Sequence, residues 1–267
     1  MGRIEIENIS LAFKQGTREF KALDGVNAVI EDGEFVCVIG PSGCGKSTLL
    51  SVLEGLTVPD AGRVLIDNVP VNGTGPERAV VFQQYTLFPW MSAKQNVIFG
   101  MKQVLKDLSA SQYEEQAEAF LIRVGLSGVS DKLPGQLSGG MQQRVAIARA
   151  LAVSPQILLM DEPFGAIDAK TRVSLQQLLL ELWGADERKK TVVFVTHDID
   201  EALLLSDKII FMKPGVISEM IPVGLPRPRN KDGQLLDSEE YRRLRAILVS
   251  KFYQDVTEHI GGKEVVL

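Results

Sequence analysis

The chain has 267 residues, 45% hydrophobic and 24% charged, which is ordinary globular composition with enough apolar material for one large domain and a subdomain. A formal net charge of -5 argues against the basic footprint of a nucleic-acid binder. Cys37, in an apolar run, and Cys44, in a glycine-rich loop, do not read as a structural bridge and fit a reducing compartment. MGRIEIENIS lacks the apolar stretch of a signal peptide, and no window approaches the roughly 18 consecutive apolar residues of a membrane span. If the protein works at a membrane, another chain must cross it.

In chain order, IEIENI alternates apolar and polar residues and reads as a half-buried strand. EFVCVIG is a short continuous apolar run that suits a strand buried on both faces, and the glycines after it open a helix, KSTLLSVLEGL. Strand, glycine-rich turn and helix make the first unit of an α/β sheet. GRVLID, introduced by the turn PDAG, and RAVVFQ follow as strands.

From Ser92 to Val124 the pattern is helical and reads as an insertion, with a cap at Ser109 or Ser111 and a stop at Gly125. Next come a helix from Gly140 to Ala152, the buried strand ILLMD and a helix from about Ala169 to Arg188. The strand TVVFVT, a helix over Ile199–Leu205 and the strand KIIFM complete the alternation of a parallel sheet. The tail opens with prolines; from Asp237 it reads as an amphipathic helix with Tyr241, Leu244, Ile247 and Leu248 on one side. There are no repeats or low-complexity segments.

GPSGCGKS, Gly40 to Ser47, fits the phosphate-loop pattern G-x-x-x-x-G-K-[ST] between a predicted strand and a predicted helix. Its glycines let backbone N–H groups approach phosphates, Lys46 can reach the β- and γ-phosphates, and Ser47 can ligate Mg²⁺. Cys44, among helix-start N–H groups, is expected to have a lowered pKa and to line the site. ILLMDE places Asp161 at the C-terminal edge of a buried strand, where α/β sheets bind ligands and where a carboxylate can hold the metal's water shell. Glu162, one residue further, can polarise an attacking water as general base.

His197 follows another buried strand at the same edge. A lone histidine is more often structural, and its position at a strand end facing the phosphate loop is what points to function. Gln83, ending VVFQ, has the same placement and can offer its amide oxygen to Mg²⁺ or water. YTLFPWM, Tyr85 to Met91, is an apolar loop that either packs the helical insertion or docks a partner helix. LSGGMQQR, Leu137 to Arg144, reads as a second helix start able to hold an anion.

With these pieces assembled, the chain resembles the ATP-binding subunits of ABC transporters over its first 220 or so residues. GPSGCGKST matches the Walker A loop, VVFQ the Q-loop, LSGGMQQR the signature, ILLMDEP the extended Walker B, FGAID the D-loop and VTHD the H-loop, in the family's order. The resemblance implies an α/β P-loop NTPase core with a mostly parallel sheet, an antiparallel β subdomain and an inserted α-helical subdomain. The ATPase domain is expected over 1–225, the helical subdomain over about 86–155 and a short helical tail over 226–267.

It also implies two copies stacked head to tail, each sandwiching ATP between its own Walker A and its neighbour's signature. Residue by residue, the resemblance places Gly40, Pro41, Ser42, Gly43, Cys44, Gly45, Lys46, Ser47 and Thr48 around the phosphates, with Ser47, Gln83 and Asp161 on the Mg²⁺ side. Glu162 becomes the catalytic base, His197 the γ-phosphate contact and Gln83 the sensor of nucleotide state. Ser138, Gly139, Gly140 and Gln142 cap the opposite nucleotide, and Asp168 links the subunits at the shared site. Phe13, or Phe20 as a second candidate, falls where the family stacks an aromatic ring on adenine. Ile167, where leucine is usual, and Glu54, where a small residue is common, are departures, the second bearing on local helix packing.

FPWMSAKQNVIFG, the single-domain length and the tail LPRPRN with YRRLRAIL are similar to importer subunits of the nitrate, sulfonate, taurine and bicarbonate group. That likeness implies permease subunits docking near Tyr85–Met91, an extracytoplasmic solute-binding protein acting indirectly, and a peripheral place on the cytoplasmic face of the membrane. No nucleic-acid partner is expected. The competing readings are an exporter ATPase subunit and a soluble ABC protein acting on ribosomes or DNA. The latter commonly carries two cores or a long coiled coil, and this chain has neither signal.

Overall fold

A computed structural model describes residues 2–15, 18–185, 188–229 and 233–261. The phosphate-loop strand β3 (Phe35–Ile39) is buried throughout and central in a six-stranded sheet. Its partners are β8 (Thr191–Val195) on one side and β9 (Lys208–Lys213) on the other, both parallel. β7 (Ile157–Asp161) and β6 (Arg78–Val81) extend the parallel set beyond β8, and β10 (Val216–Pro222) closes the other edge antiparallel to β9.

A second sheet is wholly antiparallel, in the order β2, β1, β4, β5: β1 (Ile4–Gln15), β2 (Arg18–Ile30), β4 (Ala61–Ile66) and β5 (Val69–Pro70). β2 and β10 were not read from the sequence. β1 outruns IEIENI because it pairs with β2 through several register shifts, which break the simple alternation.

Successive side chains of β3 point to opposite faces, so one strand feeds two cores. Phe35, Cys37 and Ile39 enter the larger core, shared with the helices α2 (Ala93–Val104), α3 (Ala110–Arg123), α4 (Gly139–Leu151) and α5 (Ala169–Gly184). Val36 and Val38 enter the smaller core, where α1 (Lys46–Glu54) brings Leu49, Leu50, Val52 and Leu53 against the antiparallel sheet. The phosphate-loop helix and α4, which begins at the signature, are thus seated in different cores.

The helical insertion is two helices, the second opened at Ser109, one of the two expected caps. Ser92 with Gln95 and Ser109 with Gln112 each form a reciprocal capping box, which starts α2 and restarts the chain as α3. α5 ends at Gly184, short of the expected Arg188. The turn after β8 opens α6 (Ile199–Leu205), and α7 (Gly233–Leu236) leads to the terminal α8 (Glu239–Gly261).

Tyr241, Leu244 and Leu248 of α8 are buried in the larger core, whereas Ile247 stays 38% exposed, so the apolar stripe is narrower than expected. Before α7, Arg229 is buried and donates to the carbonyls of Leu203, Ser206, Val223 and Leu225, pinning the proline segment to the end of α6. Among the described residues, no helix is long and apolar enough to cross a membrane.

Candidate nucleotide site

The phosphate loop turns at Gly40 and Gly45 because nothing larger fits. A Cβ at Gly40 would lie 2.3 Å from the Met212 carbonyl oxygen, and one at Gly45, where φ is +107°, would lie 2.5 Å from that of Ala22. Lys46 opens α1 and is almost buried. Its ammonium donates to the Gly40 and Pro41 carbonyls, each at 2.9 Å, and so spans the loop.

The Cys44 N–H donates to Pro41 O at 3.3 Å, and the residue is only 1% exposed. Its sulfur lies where a Gly40 side chain would go. The thiol is buried with the smaller core and lies 3.9 Å from Lys46 Nζ, on the inner side of the phosphate loop. Ser42, Gly43 and Thr48 lie with it in the loop and the first turn of α1.

β3 and β7 deliver the next groups to one sheet edge. Ser47 Oγ donates to Asp161 Oδ1 at 3.2 Å, so a hydroxyl and a carboxylate converge at the end of β7. Burial pushes the Asp161 carboxyl above its ordinary range, partly offset by the Ser47 hydrogen bond. An all-oxygen pair of this kind suits a hard cation such as Mg²⁺. Gln83 does not end β6, which stops at Val81; it lies exposed two positions on.

Glu162 follows with φ at +40°, a conformation unfavourable for a side chain bearing a Cβ, while its N–H donates to Val195 O at 3.0 Å. This bend carries its carboxylate to His197, whose Nδ1 lies 3.1 Å from Glu162 Oε2. Two side chains from neighbouring strand ends are thereby brought into contact at the edge that carries the phosphate loop.

Glu54 is a further buried carboxyl, at the other end of α1 from the phosphate loop. It ends α1, is only 5% exposed, and burial pushes its carboxyl up to about 7, with the Asp161 charge adding to the effect. Its departure from the family pattern therefore has an electrostatic consequence as well as a packing one. Unfolded, the group titrates near 4.5. Between that value and about 7 the folded chain binds a proton that the unfolded chain releases, so stability falls as pH rises through the interval. In urea unfolding without nucleotide or divalent metal, Glu54→Gln is expected to remove this slope and add roughly 1–3 kcal/mol at pH 8. Equal losses in both proteins across the interval would show that Glu54 is not held protonated.

The second glycine-rich helix start begins at Ser138, the exposed N-cap of α4, whose hydroxyl accepts from Met141 N at 3.3 Å. Gly139 and Gly140 form the first turn, where a Cβ would collide with Tyr85 and Thr171 respectively. Gln142 donates to Pro134 O at 3.1 Å and Leu137 O at 3.2 Å, bracing the segment that leads into Ser138. Asp168 is exposed and caps α5 through Thr171 N at 3.0 Å, and backbone N–H groups there hold its carboxyl below the usual range. Phe13 and Phe20 face each other across β1 and β2, 47% and 55% exposed, on the hairpin whose Ala22 abuts Gly45. The two candidates are cross-strand neighbours.

Arg149, which the sequence reading missed, joins the signature helix to the Q-loop. It donates to Thr86 O at 2.9 Å and Thr86 Oγ1 at 3.1 Å, and only the tertiary fold reveals the pairing. Buried Asn96 braces the adjoining loop, accepting from Phe88 N at 2.8 Å and donating to the Met91 and Ser92 carbonyls, both at 3.0 Å. This bracing leaves Trp90 70% exposed, its ring tilted against Phe88 at 5.6 Å, while Phe88 meets Phe99 edge-on at 4.6 Å.

The ABC transporter family profile matches residues 23–165, from β2 through Walker B and into the D-loop. The chain belongs to the ABC transporter family. It is 48% identical to the uncharacterized ABC transporter ATP-binding protein MJ0412 of Methanocaldococcus jannaschii, over 90% of this chain and 89% of that one. It is 41% identical to the nitrate import ATP-binding protein NrtD of Synechococcus elongatus, over 95% and 92%. Its fold matches the dimeric, post-hydrolysis structure of the ATP-binding cassette MJ0796 bound to ADP and Pi. That match has a TM-score of 0.74 at 37% identity and covers 82% of this chain and 98% of that one. The protein is thus an ABC ATPase, an ATP-binding subunit with the family's α/β cassette fold.

Proposed function

We propose that this ABC ATPase powers an importer for a small anionic or organic solute, of the nitrate, sulfonate, taurine or bicarbonate type, by closing on ATP as a head-to-tail pair. The observation that carries this reading is that the chain has two glycine-rich helix starts seated on separate cores, the phosphate loop at α1 and an exposed, Ser138-capped start at α4. A second copy can bring its Ser138, Gly139 and Gly140 against the nucleotide held by the first, and the dimeric form of the ADP- and Pi-bound relative supports that arrangement. The nitrate-import relative supports import over export.

In this reading the phosphate loop and Lys46 bind the β- and γ-phosphates, and Phe13 with Phe20 offers the adenine platform. Bound Mg²⁺, held by Ser47 with Asp161 and Gln83 behind it, would neutralise charge on the phosphates. Glu162 accepts the proton of the attacking water, and His197 orients the carboxylate through Nδ1 while its other ring nitrogen faces the γ-phosphate. Asp168 at the start of α5 meets the neighbouring copy. Hydrolysis removes the γ-phosphate that favours the closed pair, and the pair opens.

Membrane subunits dock near Tyr85–Met91, on the protruding Trp90 and its neighbours, and thereby hold the ATPase peripherally at the cytoplasmic face. The solute-binding protein acts through them. Gln83 and the Arg149–Thr86 contact tie that surface to nucleotide state. Trp90→Ala is expected to leave ATP turnover of the isolated chain unchanged and to weaken co-purification with the permease by at least about tenfold, as loss of an exposed aromatic anchor should. Undiminished co-purification would place the docking surface elsewhere.

A further inference from the structure

The C-terminal helix reaches the segment that carries His197. Tyr241 Oη donates to Asp200 Oδ1 at 2.8 Å, and Arg245 Nε donates to the same oxygen at 2.7 Å. Asp200 lies in the first turn of α6. Asp198, directly after His197, caps that turn by accepting from Asp200 N at 2.9 Å and Glu201 N at 3.1 Å. These hydrogen bonds tie α8 to the turn directly after His197, whose imidazole meets Glu162 at 3.1 Å.

The same turn is held from two other sides. Arg172 of α5 pairs with Asp198 Oδ2 at 3.6 Å and donates to Ile167 O in the D-loop at 3.1 Å. Beneath, the buried Glu201 carboxylate accepts from Thr196 Oγ1 at 2.6 Å and Gln176 Nε2 at 2.7 Å. Docking α8 as mere packing would need only Leu244 and Leu248, which are buried against the larger core. An aspartate in a helix's first turn is already favourable without partners. Two donors converging on one oxygen, one of them from a tyrosine that is 3% exposed, fix the direction of that side chain beyond what packing requires.

We infer that Tyr241 and Arg245 are positioning residues for ATP hydrolysis, holding through Asp200 the turn that sets His197 against Glu162. The inference rests on the catalytic reading of Glu162 and His197 above. It gives the terminal helix a part in turnover: a tail that lets go of Asp200 loosens the imidazole without touching the phosphate loop.

The test uses the full chain carrying Tyr241→Phe with Arg245→Ala, beside Leu248→Ala, which destabilises the same helix without touching Asp200. The double variant is expected to lose about fivefold or more in kcat with KM for ATP within about twofold, the pattern of lost transition-state geometry. Restoring a donor as Tyr241→Phe with Arg245→Lys should recover most of the loss. The chain has two histidines, so imidazole NMR without nucleotide can follow His197 directly. Its resonances should shift in the double variant and stay in place in Leu248→Ala.

Unchanged kcat and unchanged His197 resonances in the double variant overturn the inference, as does an equal kcat loss in Leu248→Ala at equal loss of melting temperature. Glu162→Gln assayed alongside separates the two readings. If it turns over at the parental rate, the catalytic assignment fails and this inference falls with it; if it is inactive while the double variant is normal, only the role of the tail is overturned.

Discussion

Glu162→Gln is expected to lower ATP turnover by at least about a hundredfold while leaving ATP binding intact, because the amide keeps the shape of the side chain but cannot accept the water's proton. The His197 contact at 3.1 Å can survive as a hydrogen bond to the amide oxygen, so the geometry of the edge is retained. The bend at Glu162, with φ at +40°, is a property of the chain path between β7 and Val195 and is indifferent to the exchange of carboxylate for amide. Blocked hydrolysis leaves the γ-phosphate in place, so the variant should accumulate as a closed pair in MgATP. Phosphate release in a coupled assay and sedimentation check the two parts. Turnover at the parental rate would mean that another group takes the proton.

Ser138→Arg has the second large effect. It is expected to leave nucleotide binding by the single chain nearly unchanged, since Ser138 starts α4, which is seated in the larger core, whereas the phosphate-loop helix is seated in the smaller one. Closure and turnover should fall by at least about a hundredfold, since a bulky side chain replaces the hydroxyl at a helix start meant to face the neighbour's phosphate. Loss of the cap alone costs about 1 kcal/mol of α4. Ser138→Asp controls for that loss: it keeps a capping oxygen yet sets a negative charge against the phosphate, and it should abolish closure as well. Fluorescent-nucleotide titration separates binding from closure, and weakened binding by the isolated chain would contradict the composite site.

The parts of this site that could be read in the sequence are those that local chemistry dictates. An apolar run ending in GPSGCGKST has one good reading because only glycine tolerates the carbonyls of Ala22 and Met212 at that turn. Ser138 announces α4, and ILLMD announces a buried strand with Asp161 at its tip. β2 was missed because REFKALDGVNAVI mixes charged residues and glycine in a strand whose register shifts repeatedly. The break between α2 and α3 was legible as the second S-x-x-Q signature at Ser109, although the apolar period runs on. The burial of the Cys44 thiol, the Arg149 clamp on Thr86 and the grip of Tyr241 on Asp200 are long-range consequences of packing. No spacing in the chain could supply them.

The central claim is that one nucleotide is shared by two copies of this chain. The most direct measurement is sedimentation of Glu162→Gln in MgATP, with and without Ser138→Arg. The account predicts an ATP-dependent dimer for the first protein and a monomer that still binds ATP for the second. Dimers in both, or monomers in both at concentrations that saturate ATP binding, would contradict it.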